Sequence, residues 1–261
     1  MISKIELQRI RSLRQTKYRW QYGLFLVEGV RLVEEAVSAE AEVVTVIYTK
    51  ELSESQRGLE LVGKINEHSI PHHEVTERDL RSISDTVHNQ GIIAVASISE
   101  LPSLEASAEN NWLYLDSVRD PGNLGTILRT ADWFGVKHVA LSPTCADPYN
   151  PKVVRSGVGS HFRLNIYPSA ELLPIKQMGH SILAADQKGT PLNQLPLTAN
   201  QFCLVLGSEA HGISEETGSV VDHSVAILGM GQVESLNVAV AAGILLYQLT
   251  IDHKPSRSVR P

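Results

Sequence analysis

Three segments in the second half of the chain combine glycine with polar side chains: residues 120–131, 204–212 and 234–243. Glycine lets the backbone approach a ligand closely, and neighbouring polar side chains supply hydrogen-bond donors, acceptors and charge. The polar and charged side chains in these segments include Asn123, Arg129, Glu209, Ser235 and Asn237.

The second and third segments have the features of a ligand site built from backbone groups. Gly207 and Gly212 allow close approach or a positive φ. Ser235 and Asn237 lie at a predicted helix start, where free amides and side-chain oxygens converge. Such a site suits an uncharged adenine edge or a carboxylate. Two simpler interpretations stay open: Ser235 as a plain helix cap, and Glu209 as an exposed loop carboxylate.

The first segment predicts a turn that leads into a helix. Residues 120–122 are turn-forming, Asn123 can cap the helix, and Arg129 projects away from its apolar face. Gly122 and Gly125 do not complete the GxGxxG pattern of dinucleotide-binding folds. A dehydrogenase-like nucleotide domain is therefore a weak alternative, which titration with NAD would test.

Short apolar runs alternate with helical segments in the second half of the chain and predict a parallel sheet covered on both faces. The strands are predicted at residues 112–115, 136–141, 181–185, 202–206 and 225–228. The first half predicts a small α/β/α module, in which residues 25–36 turn through Gly29 into an amphipathic helix. We expect an N-terminal domain at 1–98, a linker at 99–111, a second domain at 112–252 and a disordered tail at 253–261.

Charge is distributed unevenly. The net charge of −6 argues against a protein that coats nucleic acid, because polyanion binding depends on Lys and Arg. Residues 1–24, however, hold six basic residues against Glu6 alone, a net charge of +5, and the rest of the chain carries −11. A basic arm on an acidic body suits a local RNA contact, and an ordinary solvated helix face explains the same charges equally well.

The remaining composition is ordinary for a soluble globular protein, with 43% hydrophobic and 20% charged residues. The chain starts with charges where a signal peptide would be apolar, and its longest apolar run is too short to span a bilayer. We therefore expect a cytoplasmic protein without a membrane segment. Cys145 and Cys203 are widely separated, and the histidines lack ligand-type neighbours, so we expect no disulfide and no metal.

Taken in order, the three segments resemble the three motifs of the SpoU (TrmH-like) RNA ribose methyltransferases of the SPOUT superfamily. The resemblance implies that Arg129 orients a ribose hydroxyl or acts as its base. The catalytic residues that it implies are Arg129, Asn123, Glu209, Ser235 and Asn237. Contacts to S-adenosylmethionine are implied for Leu206, Gly207, Gly212, Ile227 and Leu236.

Two further segments are similar to parts of family members that meet RNA. Residues 150–157 resemble the family's Pro-Lys-x-x-Arg segment, and residues 25–29 resemble a phrase of the substrate-binding domain that precedes the catalytic domain. The RNA contacts that we predict are Lys152, Arg155, Arg19 and Arg31. For Lys152 and Arg155, ordinary surface charge is an equally good interpretation outside the family context.

The implied reaction is methyl transfer from S-adenosylmethionine to a ribose 2′-hydroxyl. The implied fold is an α/β domain with a parallel sheet and a deep C-terminal trefoil knot, preceded by a small α/β/α RNA-binding domain similar to ribosomal proteins. Family members usually act as homodimers. A recognition domain at the N-terminus favours ribosomal RNA over transfer RNA. A transfer RNA methyltransferase and an RNA-binding relative without catalysis stay open as alternatives.

Overall fold

The computed structural model describes residues 2–86, 89–104, 107–108, 110–195 and 201–251. They form two compact units. The first combines Met1–Glu100 with Asp147–Arg163, and the second combines Leu101–Ala146 with Leu164–Pro261. The boundary near residue 100 falls inside the predicted linker at 99–111, whereas residues 147–163, expected in the second domain, belong to the first unit. The predicted tail at 253–261 lies outside the described residues.

A four-stranded sheet forms the centre of the first unit. Numbered along the whole chain, its strands are β1 (Leu24–Glu28), β2 (Val43–Thr49), β3 (His72–Val75) and β4 (Ile92–Ser97). Their spatial order is β1-β4-β2-β3, with β4 antiparallel to β1 and β2, and β3 parallel to β2. The sequence does not predict β3, because its His-His-Glu run lacks the apolar alternation of a half-buried strand.

Helices cover both faces of this sheet. Successive side chains along a strand point to opposite faces, so strands with apolar residues at every position bury side chains on both faces. Phe25 and Val27 face one core, and Leu26 faces the other. The first core is completed by α3 (Val30–Ser38), α4 (Gln56–Glu67) and α7 (Pro151–Gly157), and the second by α1 (Lys4–Ser12) and α5 (Glu77–Ile83). Helix α2 spans Thr16–Tyr22. This is the α/β/α arrangement that the sequence predicts.

Residues 147–163 join the first unit through packing and an ion pair. Tyr149 and Val154 are buried in the core around Phe25. The Asp147 carboxylate pairs with the Arg19 guanidinium at an N–O distance of 2.5 Å, although the two residues are 128 positions apart. Contacts between such distant positions leave no local signal in the sequence, which explains why the domain prediction differs here.

The second unit is built on a six-stranded sheet whose recorded pairings are all parallel. The strands are β5 (Trp112–Leu115), β6 (His138–Leu141), β7 (Asn165–Tyr167), β8 (Ser181–Pro191), β9 (Phe202–Leu206) and β10 (His223–Ala226), in spatial order β10-β8-β9-β5-β6-β7. The predicted parallel sheet is confirmed. Because Leu115 and Leu206 are register partners, the segments after β5 and β9 emerge side by side at the carboxyl edge.

The α-helices in the described part of the second unit are α6 (Pro121–Trp133), α8 (Leu173–Gln177), α9 (Glu215–Gly218) and α10 (Val238–Ile251). Helices α6 and α10 pack against each other. Gly243 of α10 faces Thr130 of α6 at this contact, since a Cβ on Gly243 would lie 3.9 Å from Cγ2 of Thr130. Among the described residues, no helix is long and apolar enough to cross a membrane.

Candidate active site

Side chains from the three motif segments meet in one hydrogen-bonded chain. Nδ2 of Asn123 donates to Oε1 of Glu209, and Nδ2 of Asn237 donates to Oδ1 of Asn123 at 3.0 Å. Glu209 and Asn237 are 86 and 114 positions away from Asn123 in the sequence. The fold therefore brings one residue of each segment together, and we call these three side chains the amide-carboxylate chain.

Helix α6 holds Asn123 in its first turn. Oδ1 of Asp120 accepts a hydrogen bond from the Asn123 backbone amide at 2.8 Å, and Pro121 occupies the first helical position. The cap is therefore Asp120, and the expectation that Asn123 caps this helix is wrong. This leaves the Asn123 side chain available for Glu209. Further along α6, Arg129 is exposed while Ile127 is buried.

Glu209 lies in a tight loop, residues 207–212, that follows β9. Ser208 and Gly212 exchange two backbone hydrogen bonds of 2.9 Å each. Gly212 has a φ of +66°, and a Cβ on Gly207 would lie only 2.2 Å from the Gly212 carbonyl carbon. Both glycines are thus required by the closure of the loop itself, and this closure presents Glu209 to solvent at the carboxyl edge.

Asn237 caps helix α10. Its Oδ1 accepts hydrogen bonds from the amides of Ala239 at 3.0 Å and Val240 at 3.4 Å. The interpretation of Ser235 as a plain cap is therefore wrong, because Asn237 already fills that position. Ser235 is exposed. Within the described part of the chain, no hydrogen bond links Ser235 or Arg129 to the amide-carboxylate chain.

Residues 228–236, between β10 and α10, leave both backbone groups and apolar side chains exposed. Their backbone makes no hydrogen bond to another backbone group of the described residues. Four large apolar side chains in this stretch are exposed: Leu228, Met230, Val233 and Leu236. Across the described residues, no group of three or more His, Cys, Asp or Glu side chains is placed to hold a metal ion.

The match to known families covers both halves of the chain. Residues 110–247, more than half of the chain, match the SpoU rRNA Methylase family, and residues 4–94 match the MRM3-like substrate binding domain. The chain belongs to the SpoU rRNA methylase family.

Three proteins show how far the similarity extends. RlmP of Bacillus subtilis, a 23S rRNA (guanosine(2553)-2′-O)-methyltransferase, is 34% identical over 92% of this chain and 93% of its own. A TrmH-family protein from Porphyromonas gingivalis superposes with a TM-score of 0.80 at 34% identity, covering 95% and 98% of the two chains. An S-adenosylmethionine-bound rRNA methyltransferase from Sinorhizobium meliloti superposes with a TM-score of 0.81 at 26% identity, covering 98% of both.

Asp116, directly after β5, lies at the same carboxyl edge of the sheet as the loop of residues 207–212, and none of the three motifs includes it. It is 3% exposed, and its Oδ2 accepts the backbone amide of Ser214 at 2.7 Å. Because Ser214 follows the loop that carries Glu209, Asp116 ties that loop to the end of β5. The signal available in the sequence is a carboxylate directly after a buried strand, where parallel sheets place their sites.

Hydrogen bonds stabilise the charge of Asp116. Burial alone would raise the pKa of this carboxyl, but hydrogen bonds from Ser214, Thr217 and Ser117 outweigh burial and lower the pKa below its ordinary value. A carboxyl whose pKa is lowered by folding stabilises the fold above its unfolded pKa of about 3.9. That contribution is lost as the pH falls through the lowered value.

Asp116→Asn is therefore expected to lower the free energy of unfolding by about 1–3 kcal/mol at neutral pH, because the Ser214 amide loses a charged acceptor. The difference from wild type should shrink below about pH 4. Urea unfolding between pH 7 and 3 measures it, and a difference that does not change with pH would contradict the assignment. Asp222→Asn is the matched control, since Asp222 accepts the Ile182 amide at 2.9 Å beside the first residue of β10. Only Asp116→Asn should weaken S-adenosylmethionine binding.

All four predicted RNA contacts lie in the first unit. Arg19 is 1% exposed and hydrogen-bonded to Asp147, so it has no surface to offer and this prediction is wrong. Arg155 forms ion pairs with Glu28 at 3.3 Å and Asp85 at 3.4 Å, which connect α7 to β1. Lys152 and Arg31 are exposed. These two side chains stay candidates for phosphate contacts.

Proposed function

We propose that this SpoU-family chain is an S-adenosylmethionine-dependent methyltransferase that methylates a ribose 2′-hydroxyl in ribosomal RNA. The observation that carries the proposal is the amide-carboxylate chain, which joins one residue from each of the three motifs. The names of its relatives support it, because RlmP is a 23S rRNA 2′-O-methyltransferase and the Sinorhizobium meliloti rRNA methyltransferase binds S-adenosylmethionine.

S-adenosylmethionine is proposed to lie between the loop of residues 207–212 and the stretch of residues 227–236. The contacts that we assign are main-chain groups and exposed apolar surface of Leu206, Gly207, Gly212, Ile227 and Leu236. Leu206 can contribute only main-chain atoms, because its side chain is buried. When bound, S-adenosylmethionine supplies an electrophilic methyl group on a positively charged sulfur.

Arg129 is proposed to act on the ribose. A 2′-hydroxyl is a poor nucleophile at neutral pH, so a positioned group must take or stabilise its proton as the oxygen attacks. The guanidinium of Arg129 is exposed on a rigid helix and can donate to the hydroxyl and to an adjacent phosphate. Arginine ordinarily keeps its proton, so we assign Arg129 an orienting role. Ser235, near the start of α10, is the fifth proposed catalytic residue, beside Arg129 and the amide-carboxylate chain.

Ribosomal RNA is favoured over transfer RNA because residues 4–94 match the MRM3-like substrate binding domain and RlmP acts on 23S rRNA. The intact set of Asn123, Glu209 and Asn237 speaks against a relative that binds RNA without catalysis. We place the enzyme in the cytoplasm. We keep 1–98 and 112–252 as the two domains along the sequence, with residues 147–163 assigned to the first compact unit.

Two measurements test the proposed function. Calorimetric titration should give heat with S-adenosylmethionine and none with NAD. Tritium from labelled S-adenosylmethionine should enter protein-free 23S ribosomal RNA more efficiently than transfer RNA. Heat with NAD alone would favour the dehydrogenase-like alternative, and heat with S-adenosylmethionine but no tritium in either RNA would contradict the RNA substrate.

We further propose that the chain forms a homodimer through α6 and α10. We also propose that its C-terminal part forms the trefoil knot that the family implies. Trp133 on α6 is 84% exposed, and Tyr247 on α10 is 54% exposed. Val240 and Ile251 on α10 are exposed as well. Large apolar side chains exposed on two packed helices are typical of a surface that meets another protein. A second copy of the chain presents the same side chains, as a two-fold interface requires.

Tyr247→Glu is expected to convert the dimer to a monomer, because it would place an unpaired carboxylate in an apolar interface. Light scattering coupled to gel filtration measures the mass. Leu59→Glu is the matched control, since Leu59 is a similarly exposed apolar side chain of the first unit, on α4. A wild-type chain that elutes as a monomer, or a Tyr247→Glu variant that stays dimeric, would contradict this interface.

A further inference from the structure

A cavity of about 280 Å³ opens at one end of the sheet of the first unit, where β4 ends and β2 begins. Three aromatic rings form part of its wall, those of Phe25, Tyr149 and Phe162. The ring centroids of Tyr149 and Phe162 lie 5.0 and 6.3 Å from that of Phe25. The three motif segments belong to the second unit, so this cavity is separate from the proposed active site.

Two carboxylates lie at the mouth of this cavity. Glu40 and Glu42 line it, and both residues are exposed. Within the described residues, neither carboxylate forms an ion pair or accepts a hydrogen bond. Helix α3 ends at Ser38, just before them, and the C-terminal end of a helix carries partial negative charge. The mouth therefore attracts a cation and repels a phosphate-bearing strand such as RNA.

Two buried polar side chains in the wall have an atom without a hydrogen-bond partner among the described residues. Tyr149 is 5% exposed, and its hydroxyl makes no hydrogen bond there. This oxygen is not sealed from solvent, so it faces the cavity. His161 donates from Nε2 to the Pro148 carbonyl oxygen at 2.8 Å, and its Nδ1 has no partner. Burial lowers the pKa of His161 to about 4, so at neutral pH Nδ1 can only accept. The wall thus offers acceptors that a donor-rich ligand would satisfy.

We propose that this cavity binds a guanidinium group carried on a short apolar stem. The cation lies against the half-buried ring of Phe162 and donates to the Tyr149 hydroxyl. Its remaining N–H groups donate to the carboxylates of Glu40 and Glu42. A guanidinium suits this wall better than an ammonium, because it is less strongly hydrated and holds five donors in one plane. Its source is a free guanidinium compound or an arginine side chain of another protein, and the test separates the two.

The test follows binding of n-butylguanidinium to the full-length chain by calorimetry and proton NMR. Ring currents of the aromatic wall should shift the resonances of the butyl protons. n-Butylurea is the neutral probe of nearly the same shape, and it should bind at least roughly tenfold more weakly because it lacks the charge. A capped glycine-arginine-glycine peptide distinguishes the sources. Equal affinity identifies an arginine side chain as the ligand, and much weaker binding identifies a free compound.

Substitutions in the wall locate the bound cation. Glu40→Gln and Glu42→Gln should each weaken n-butylguanidinium binding about two- to fivefold, the contribution of a solvent-exposed ion pair. Tyr149→Phe removes only the hydroxyl and should weaken binding about two- to tenfold. Phe162→Leu should weaken it about two- to fivefold through the lost ring face. The affinity for n-butylurea should stay unchanged in both glutamine variants, which a general distortion of the wall would not allow.

Glu67→Gln is the matched control. Glu67 is the exposed last residue of α4 in the same unit, so it also lies at the C-terminal end of a helix, but it does not line the cavity. We expect wild-type affinity. The proposal is overturned if wild type binds no n-butylguanidinium, if n-butylurea binds as tightly, if Glu42→Gln keeps full affinity, or if an oligouridylate displaces the cation and so assigns the cavity to RNA. A chain that methylates no RNA would still show the binding, so this test is independent of the proposed function.

Discussion

Arg129→Ala is expected to lower the rate of methyl transfer to ribosomal RNA by about 10²–10³-fold, the usual cost of removing one positioned hydrogen-bond donor from the transition state. Binding of S-adenosylmethionine should stay near the wild-type value, because we assign Arg129 to the ribose and not to the methyl donor. Single-turnover transfer of a tritiated methyl group measures the first quantity, and calorimetric titration measures the second.

Two further variants sharpen this experiment. Lys137→Ala removes an exposed cation just before β6, and we expect full activity. Arg129→Lys keeps the positive charge but loses the planar pair of donors. An orienting role predicts low activity at every pH, whereas a base role predicts activity that rises towards the pKa of about 10.4 of an ordinary lysine. Full activity in Arg129→Ala would remove this residue from the mechanism.

Gly207→Ala is expected to abolish S-adenosylmethionine binding. Each 1.4 kcal/mol that the distorted loop costs lowers the affinity about tenfold. A Cβ at this position would lie 2.2 Å from the carbonyl carbon and 2.3 Å from the oxygen of Gly212. The backbone at Gly212 must move, so the pair of hydrogen bonds between Ser208 and Gly212 is lost and Glu209 leaves Asn123. Calorimetric titration measures the affinity.

Gly218→Ala provides the control for this loop. Gly218 lies on α9, after the loop, and a Cβ there would lie 3.9 Å from Cδ1 of Ile213, which is an ordinary contact. We expect unchanged binding and, since the unfolded chain loses freedom, a stability gain of about 0.4–1 kcal/mol. Normal binding in Gly207→Ala would show that the loop does not hold the methyl donor.

The motif residues and the strands that position them were predictable because each leaves a local signal. Buried runs such as residues 202–206 read directly as strands, and glycines at a strand's end mark a tight loop. Parallel pairing then places the segments after β5 and β9 together. Once the starts of α6 and α10 are known, the same edge of the sheet places the side chains of Asn123, Glu209 and Asn237 close together.

What the sequence could not show depends on long-range contacts. Arg19 and Arg31 look alike as isolated basic residues, and only the distant Asp147 makes Arg19 a buried anchor. Asp116 looks like any residue after a strand until the amide of Ser214 is seen to donate to it. The helix caps were also uncertain from the sequence, because each helix start offers two capping side chains a few residues apart. Asp120 and not Asn123 caps α6, and Asn237 and not Ser235 caps α10.

The central claim is that the three motifs of this SpoU-family chain form one site that methylates a ribose in ribosomal RNA. Mapping ribose methylation across ribosomal RNA from cells with the gene, without it, and with the gene carrying Arg129→Ala tests this claim most directly. We predict that a ribose mark is lost without the gene, returns with the wild-type gene and does not return with Arg129→Ala. A methylation pattern that is the same in all three strains would contradict the claim.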